Sequence, residues 1–367
     1  MNGGRGGDLS GAKILLLPRT DRLGPSYRLR MEQFIPHLEA AGASVEVSPF
    51  FDDAYLKHLF ASGGRTFGSV AKAYARRTGA FRRMRSADAI WLEKELYPFL
   101  PGLAERLLPA MRVPYCVDFD DAIFHNYDMS GSRLMRKLLG RKLDPLLRSA
   151  GCVTAGNDYI AAYARTHGAR NVLLVPTVVD PRRYRQGSGQ KIRELRVGWI
   201  GTPPNVRFLD PVLAAMKEVH ARQPVRLVTI GAPAIADLPF PHDCHPWSEA
   251  TEGELLGEID VGVMPLADGP WERGKCGYKL IQYMAAGKPV IGSPVGVNSK
   301  IVSADVGFLA ADHEQWVSAI EWMSNNEDAR LAMGTAARRR VDQDYSTDAI
   351  APAIVKMFSD LIGRRRR

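Results

Sequence analysis

A chain of 367 residues is too long for one ordinary core and suits two domains, and its 46% hydrophobic and 24% charged residues exclude disordered, collagen-like and disulfide-scaffold proteins. Its longest clean apolar runs, such as the ILLL at 14–17, fall far short of the roughly 20 residues that span a bilayer. The net charge of +9 belongs to the first half: residues 1–189 carry 28 Lys and Arg against 18 Asp and Glu, and residues 190–367 carry 21 against 22.

The opening MNGGRGGDLSGAK has no apolar secretory core, which predicts a cytoplasmic protein. Strand-like runs follow at 12–18, 43–50, 88–93, 113–119, 151–156 and 171–177, alternating with helical patterns, and again at 195–201, 224–231, 260–266, 289–293 and 307–310. Such alternation predicts parallel sheets with crossover helices, an α/β fold. Between Ala54 and Ala87 there is no acidic residue, while Lys57, Arg65, Lys72, Arg76, Arg77, Arg82, Arg83 and Arg85 are basic. That block implies an anionic partner: nucleic acid, a phospholipid surface or a phosphorylated substrate. At helical spacing Phe67, Val70, Ala71, Tyr74 and Phe81 fall opposite Lys72, Arg76 and Arg83, the pattern of a peripheral membrane surface. Cys116 and Cys152 sit in strand-like runs, and none of the four cysteines forms a CxxC pair, so buried thiols are expected, with no metal or redox site. The polar, glycine-rich RQGSGQK at 185–191 reads as a linker, giving domains at 1–187 and 188–345. Residues 346–367 form a final helix, capped by Ser346 or Thr347, with a basic tail.

In open parallel sheets ligands bind beyond the carboxyl ends of the strands. Gly201 in GWIGTPPN ends a strand just before a helix expected near Phe208, which lets backbone N–H groups meet a phosphate. The stronger segment is WERGKCGYKLIQYMAAGKPVIGSPVGVN at 271–298, where Gly274 and Gly277 bracket Lys275 before a helix from about Tyr278 to Ala286. Two glycines, a cation and free helix N–H groups suit a diphosphate. Gly287 and Pro289 then close that helix.

The run KCGYKLIQYMAAGKPVIGSPVG, with DVGVMPL upstream and GFLA downstream, resembles the donor-binding region of glycosyltransferase family 4. The likeness extends to KILLLPRTDRLGPSYRLRMEQFIPHLEAAGASVEV, YCVDFDDAIF, TAGNDYIAAYA and LLVPTVVDPRRY, nearly the whole chain. It implies the GT-B fold, with two Rossmann-like domains facing a central cleft. It further implies a retaining hexosyl-type transferase that moves sugar from a nucleotide-sugar donor, held by the C-terminal domain, to a surface-glycan or lipid-linked acceptor. No cofactor and no metal are called for; helix N-termini and basic side chains stabilise the leaving diphosphate.

This sequence departs from the family at its paired glutamates, which fall here on Gly274 and Gln282. The resemblance places Gly201, Thr202, Arg207, Gly231, Trp247, Gly274, Lys275, Cys276, Gly277, Lys279 and Gln282 around the donor. Lys275 and Arg207 would carry the diphosphate from two facing helix starts, Gln282 the ribose and Trp247 the base, while Glu249, Glu252 and Glu254 read as a solvated first turn. Catalytic candidates are Asp118, Asp120 and Asp121, which leave a strand, and Glu93, which ends another. Arg19, Gly24 and Arg28 belong to the acceptor or diphosphate side. Lys72, Arg76, Arg77, Arg82 and Arg83 would meet an anionic membrane on its inner face. A basic nucleic-acid-binding protein and a GT-B epimerase or phosphorylase are the alternatives, though no nucleic-acid motif is present and no nucleic-acid partner is expected.

Overall fold

The computed structural model describes residues 8–62, 64, 67–185 and 193–366. The chain forms two compact units, one ending at Thr177 and completed by Ile350–Arg367, the other Val178–Ala349.

The first unit is built on β1 (Lys13–Leu17), β2 (Ser44–Val47), β3 (Ala89–Glu93), β4 (Tyr115–Phe119), β5 (Cys152–Ala155) and β6 (Val172–Leu174). They form one parallel sheet in the order β2-β1-β3-β4-β5-β6. β3, β4 and β5 are buried at every position, as expected when helices cover both faces. The final helix, Thr347–Arg366, sets Phe358 against Trp91 with ring centroids 5.3 Å apart, and Ser346 Oγ caps it by accepting from the Ala349 N–H.

The second unit contains β7 (Leu195–Ile200), β8 (Val225–Ile230), β9 (His242–His245), β10 (Val261–Met264), β11 (Val290–Gly292) and β12 (Gly307–Leu309). Their order, β12-β11-β10-β7-β8-β9, is again wholly parallel. Each unit is thus a Rossmann-like α/β sheet of the kind expected for GT-B. β9 escaped sequence analysis because HDCH is polar, and an edge strand needs no apolar run to pair.

The unit boundary lies at Thr177/Val178 rather than after residue 187. Val179 exchanges backbone hydrogen bonds with Tyr345 and Thr347, and Tyr184 is buried in the second core, so the stretch before the polar run is already part of that unit. The expected linker lies outside the described residues except for Arg185, as do Arg65 of the basic block and Arg367 of the tail.

Candidate functional site

In the second unit the chain reverses its winding between β7 and β10, the position at which an open α/β sheet leaves a crevice beyond its carboxyl edge. Gly201 follows β7, Gly231 follows β8 and Trp247 follows β9. Gly231 has φ +80°, and a Cβ there would lie 2.7 Å from the Gly201 carbonyl oxygen and 3.0 Å from Trp247 Cβ, so only glycine fits. A Cβ on Gly201 would lie 2.5 Å from the Trp199 ring and 2.9 Å from Lys279 Nζ. The fold therefore gathers Gly201, Gly231, Trp247 and Lys279.

Lys279 stands in the first turn of the helix Tyr278–Ala285. Its ammonium lies 4.3 Å from the centroid of the Trp199 ring and has no carboxylate or hydrogen-bond partner among the described residues. Burial, and then the charge of Lys275, lowers its pKa to about 7. The helix springs from Gly277 at φ +66°, with no side-chain cap, which leaves its first N–H groups to other acceptors. A Cβ on Gly277 would lie 2.2 Å from Ile301 Cδ1. Gly274 and Cys276 are buried beside it, and Lys275 is half-buried.

Other expected donor residues sit differently. Arg207 is exposed on the 3₁₀ turn Pro203–Leu209, its guanidinium 5.1 Å from the Phe208 ring. The α-helix after β7 begins only at Asp210, so Arg207 stands on the preceding 3₁₀ turn and not at the α-helix start expected for it, while the charge of Lys275 acts on Lys279. Thr202 is exposed and accepts from Asn205 Nδ2 at 3.0 Å. Gln282, expected at a ribose, is only 3% exposed, and its amide donates to Tyr184 Oη at 3.4 Å. Tyr184 donates in turn to Glu252 Oε1 at 2.9 Å, while Trp247 Nε1–H donates to Glu252 Oε2 at 2.7 Å. Glu252 is therefore no solvated helix start but a buried carboxylate that fixes Trp247, whose ring remains 41% exposed. Glu254 is exposed as expected, and Glu249 pairs with Arg183 at 3.4 Å.

In the first unit the winding reverses between β1 and β3, and their carboxyl ends carry a charged cluster. Lys94 adopts φ +64°, an uncommon conformation for a residue with a side chain, and such strain concentrates at functional sites. Its ammonium pairs with Asp120 at 2.9 Å and Glu93 at 3.2 Å and donates to Ser26 Oγ at 3.0 Å. Glu93 also accepts the Arg19 backbone N–H at 2.8 Å. Burial raises the Glu93 pKa. Burial would raise Asp120 too, but Lys94, Ser26 and Arg30 outweigh it and hold that carboxyl below its ordinary value.

Asp118, expected to be catalytic, is held in a buried ion pair. Both its oxygens are taken by Arg30, at 3.0 and 2.7 Å, and Thr154 donates at 2.6 Å. Asp118 and Arg30 are at most 1% exposed, a fork-to-carboxylate pair buried under the sheet edge. Asp121 and Arg28 are half-buried. Arg19 reaches Glu95 at 3.4 Å, and Glu95 is further held by Lys142 at 2.6 Å and Tyr127. Gly24 lies where a Cβ would fall 1.8 Å from Thr20 Oγ1. Glu93 is legible in the sequence at the end of its strand, whereas the only signal for Lys94 and Glu95 is an EKE run at that strand end.

Three arginines of the basic block are engaged within the first unit, while Lys57, Lys72, Arg82 and Arg85 are exposed. Arg77 is 1% exposed and donates to the Pro18 carbonyl at 2.8 Å. Arg76 pairs with Asp52, and Arg83 with Glu46 at 2.9 Å. Only Lys72 and Arg82 of the five expected membrane contacts are exposed. Tyr74 and Tyr97 stack with centroids 5.9 Å apart, whereas Phe67, on the same apolar side of the helix Phe67–Gly79, is 90% exposed. Among the described residues no cluster of His, Cys, Asp and Glu is placed to hold a metal ion, and no helix is long and apolar enough to cross a membrane.

Residues 194–326 match the family described as Glycosyl transferases group 1. No curated protein matches the chain. Among solved structures, sucrose-phosphate synthase from Thermosynechococcus elongatus superposes with a TM-score of 0.71 at 16% identity, over 96% of this chain and 100% of that one. HepE from Anabaena, in complex with UDP-glucose, gives 0.68 at 16% identity over 95% and 100%. A glycosyltransferase from Rickettsia africae gives 0.67 at 11% identity over 96% and 98%. At these identities the likeness is one of fold, and the fold is GT-B.

Proposed function

We propose that the chain is a glycosyltransferase that takes its sugar from a nucleotide-sugar donor, holding the donor diphosphate at Lys279 and Lys275. The observation that carries this reading is the Lys279 ammonium, half-buried beside Gly201 and a helix start with no carboxylate to neutralise it. A site that keeps a cation unpaired is electrostatically incomplete, and a diphosphate completes it. Trp247, exposed but anchored through its N–H, offers its face to the base. The group 1 match over 194–326 and the UDP-glucose complex of HepE support the donor class.

In the transfer the anomeric C–O bond to the diphosphate breaks, and its electron pair leaves with the nucleoside diphosphate. The acceptor hydroxyl oxygen forms the new bond and loses its proton to a base. Charge on the leaving group is met by the two lysines and the helix N–H groups, without a metal. Asp120, kept ionised by Lys94, is the carboxylate assigned to the acceptor proton or to the developing positive charge on the sugar. Retention of anomeric configuration and a glycan or lipid-linked acceptor are the finer parts of this reading, supported by the family 4 resemblance of residues 260–310.

The test is a thermal-shift panel of UDP, GDP, ADP and their hexoses. A ligand at 100 times its dissociation constant should add about 2.7 kcal/mol, and a stabilising nucleotide sugar should be hydrolysed slowly without acceptor. If no nucleotide stabilises the protein at millimolar concentration, the proposal fails; salt-sensitive DNA binding alongside that result would favour the nucleic-acid reading.

A further inference from the structure

The first unit carries an apolar, cationic surface that the donor chemistry does not use. Residues 99–112 and 129–141 contain six cations, Arg106, Arg112, Arg133, Arg136, Lys137 and Arg141, all exposed. Their one carboxylate, Glu105, is fully buried, and of the six cations Arg141 is paired with Asp144, just beyond the second segment, at 2.9 Å. Between these charges large apolar side chains point outward: Leu103 is 66% exposed, Leu107 59%, Leu134 65% and Leu138 58%. Leu134 and Leu138, spaced i, i+4 on the helix Arg133–Leu139, form an outward stripe, the inverse of what a solvated helix presents, and Leu103 and Leu107 stand exposed on the turn and 3₁₀ helix of the other segment. The two segments are tied together. The Phe99 N–H donates to Tyr127 Oη at 3.2 Å, Lys142 Nζ donates to the Tyr97 carbonyl at 2.7 Å, and Gly102 passes so near Lys142 that a Cβ would lie 2.4 Å from its carbonyl oxygen.

We infer that this surface docks the protein on an anionic phospholipid bilayer. The charge argues for lipid: every exposed ionised side chain of the two segments is a cation, and long basic side chains beside apolar ones place their heads at phosphates while the leucines enter the acyl boundary. The attachment is peripheral and salt-sensitive, and it is independent of which nucleotide sugar is bound. It is built from other residues than the basic block at 65–85, where Arg76, Arg77 and Arg83 are engaged within the fold.

The test is co-sedimentation of the full chain with phosphatidylcholine vesicles and with vesicles containing phosphatidylglycerol. Leu134→Ser with Leu138→Ser leaves the charge intact; Arg133→Glu with Lys137→Glu leaves the leucines intact; Lys72→Glu with Arg82→Glu is the control. All these positions are exposed, and circular dichroism melts check that the variants fold. The parent and control should bind anionic vesicles only, and each surface variant should partition about tenfold less or weaker. Equal recovery of the parent with both vesicle types, or surface variants that bind like the parent, would overturn the inference. Light scattering that shows a dimer lost in the leucine variant, with no vesicle binding, would reassign the surface to a second copy of the chain.

Discussion

Replacing Lys279 with methionine is the most demanding test of the donor site, because it should stabilise the protein while removing its function. Methionine fills a similar volume without charge. A lysine whose pKa falls from 10.5 to about 7 prefers its neutral form in the fold, so the folded state binds fewer protons than the unfolded state between those values, and stability rises with pH across that window. Below pH 7 the ammonium is charged in both states and the fold bears the full cost. At about 1.4 kcal/mol per pH unit that cost approaches about 5 kcal/mol, and discounting for partial exposure leaves about 2 kcal/mol. At pH 6, Lys279→Met should therefore melt about 4–8 °C higher than the parent in the second unit, with the gap narrowing toward pH 10. In the same melts UDP should stabilise the parent and lose most of its effect on the variant. Equal melting temperatures at pH 6, or an undiminished UDP shift, would refute both the buried charge and the site built on it.

The same ionisation predicts that UDP binding takes up protons above pH 7, with affinity falling about tenfold per unit toward pH 9; calorimetry in buffers of different ionisation enthalpy measures the uptake, and none at pH 8.5 would contradict it. Asp120→Asn should lower kcat about tenfold or more with unchanged donor affinity, whereas Asp118→Asn should instead destabilise the first unit by about 3–5 kcal/mol by leaving Arg30 buried and incompletely paired. Parental turnover in the Asp120 variant would move the catalytic assignment to Glu93. Trp247→Ala should weaken UDP by about 1–3 kcal/mol without altering pyrophosphate binding, and equal loss for both ligands would show that the ring acts through packing. Gly201→Ala should disturb Trp199 and Lys279 together, so crystals or spectra of the variant should show a displaced indole, with UDP binding lost.

What the sequence determined by itself was the layered architecture, because it is written in local patterns. Among the described residues eleven of the twelve strands lie within the apolar runs expected for them, and those buried on both faces, such as β3, β4 and β5, read as nearly continuous apolar runs. The helix Tyr278–Ala285 and its closure at Gly287, φ +70°, follow from glycine and proline positions that admit few conformations. The glycines of the donor region were legible for the same reason. The partners of each charged side chain, by contrast, come from the fold. Asp118 and Asp120 stand two residues apart, yet one is locked in a pair with Arg30 and the other is held at the rim by Lys94. Lys275 and Lys279 look alike in the helix start, but the second meets the Trp199 ring. Arg77 and Arg82 belong to one basic run, but the first is buried and the second solvated. A carboxylate or ammonium takes its role from groups brought to it by strands and helices distant in sequence, and its charge interacts through space with whatever the fold places nearby.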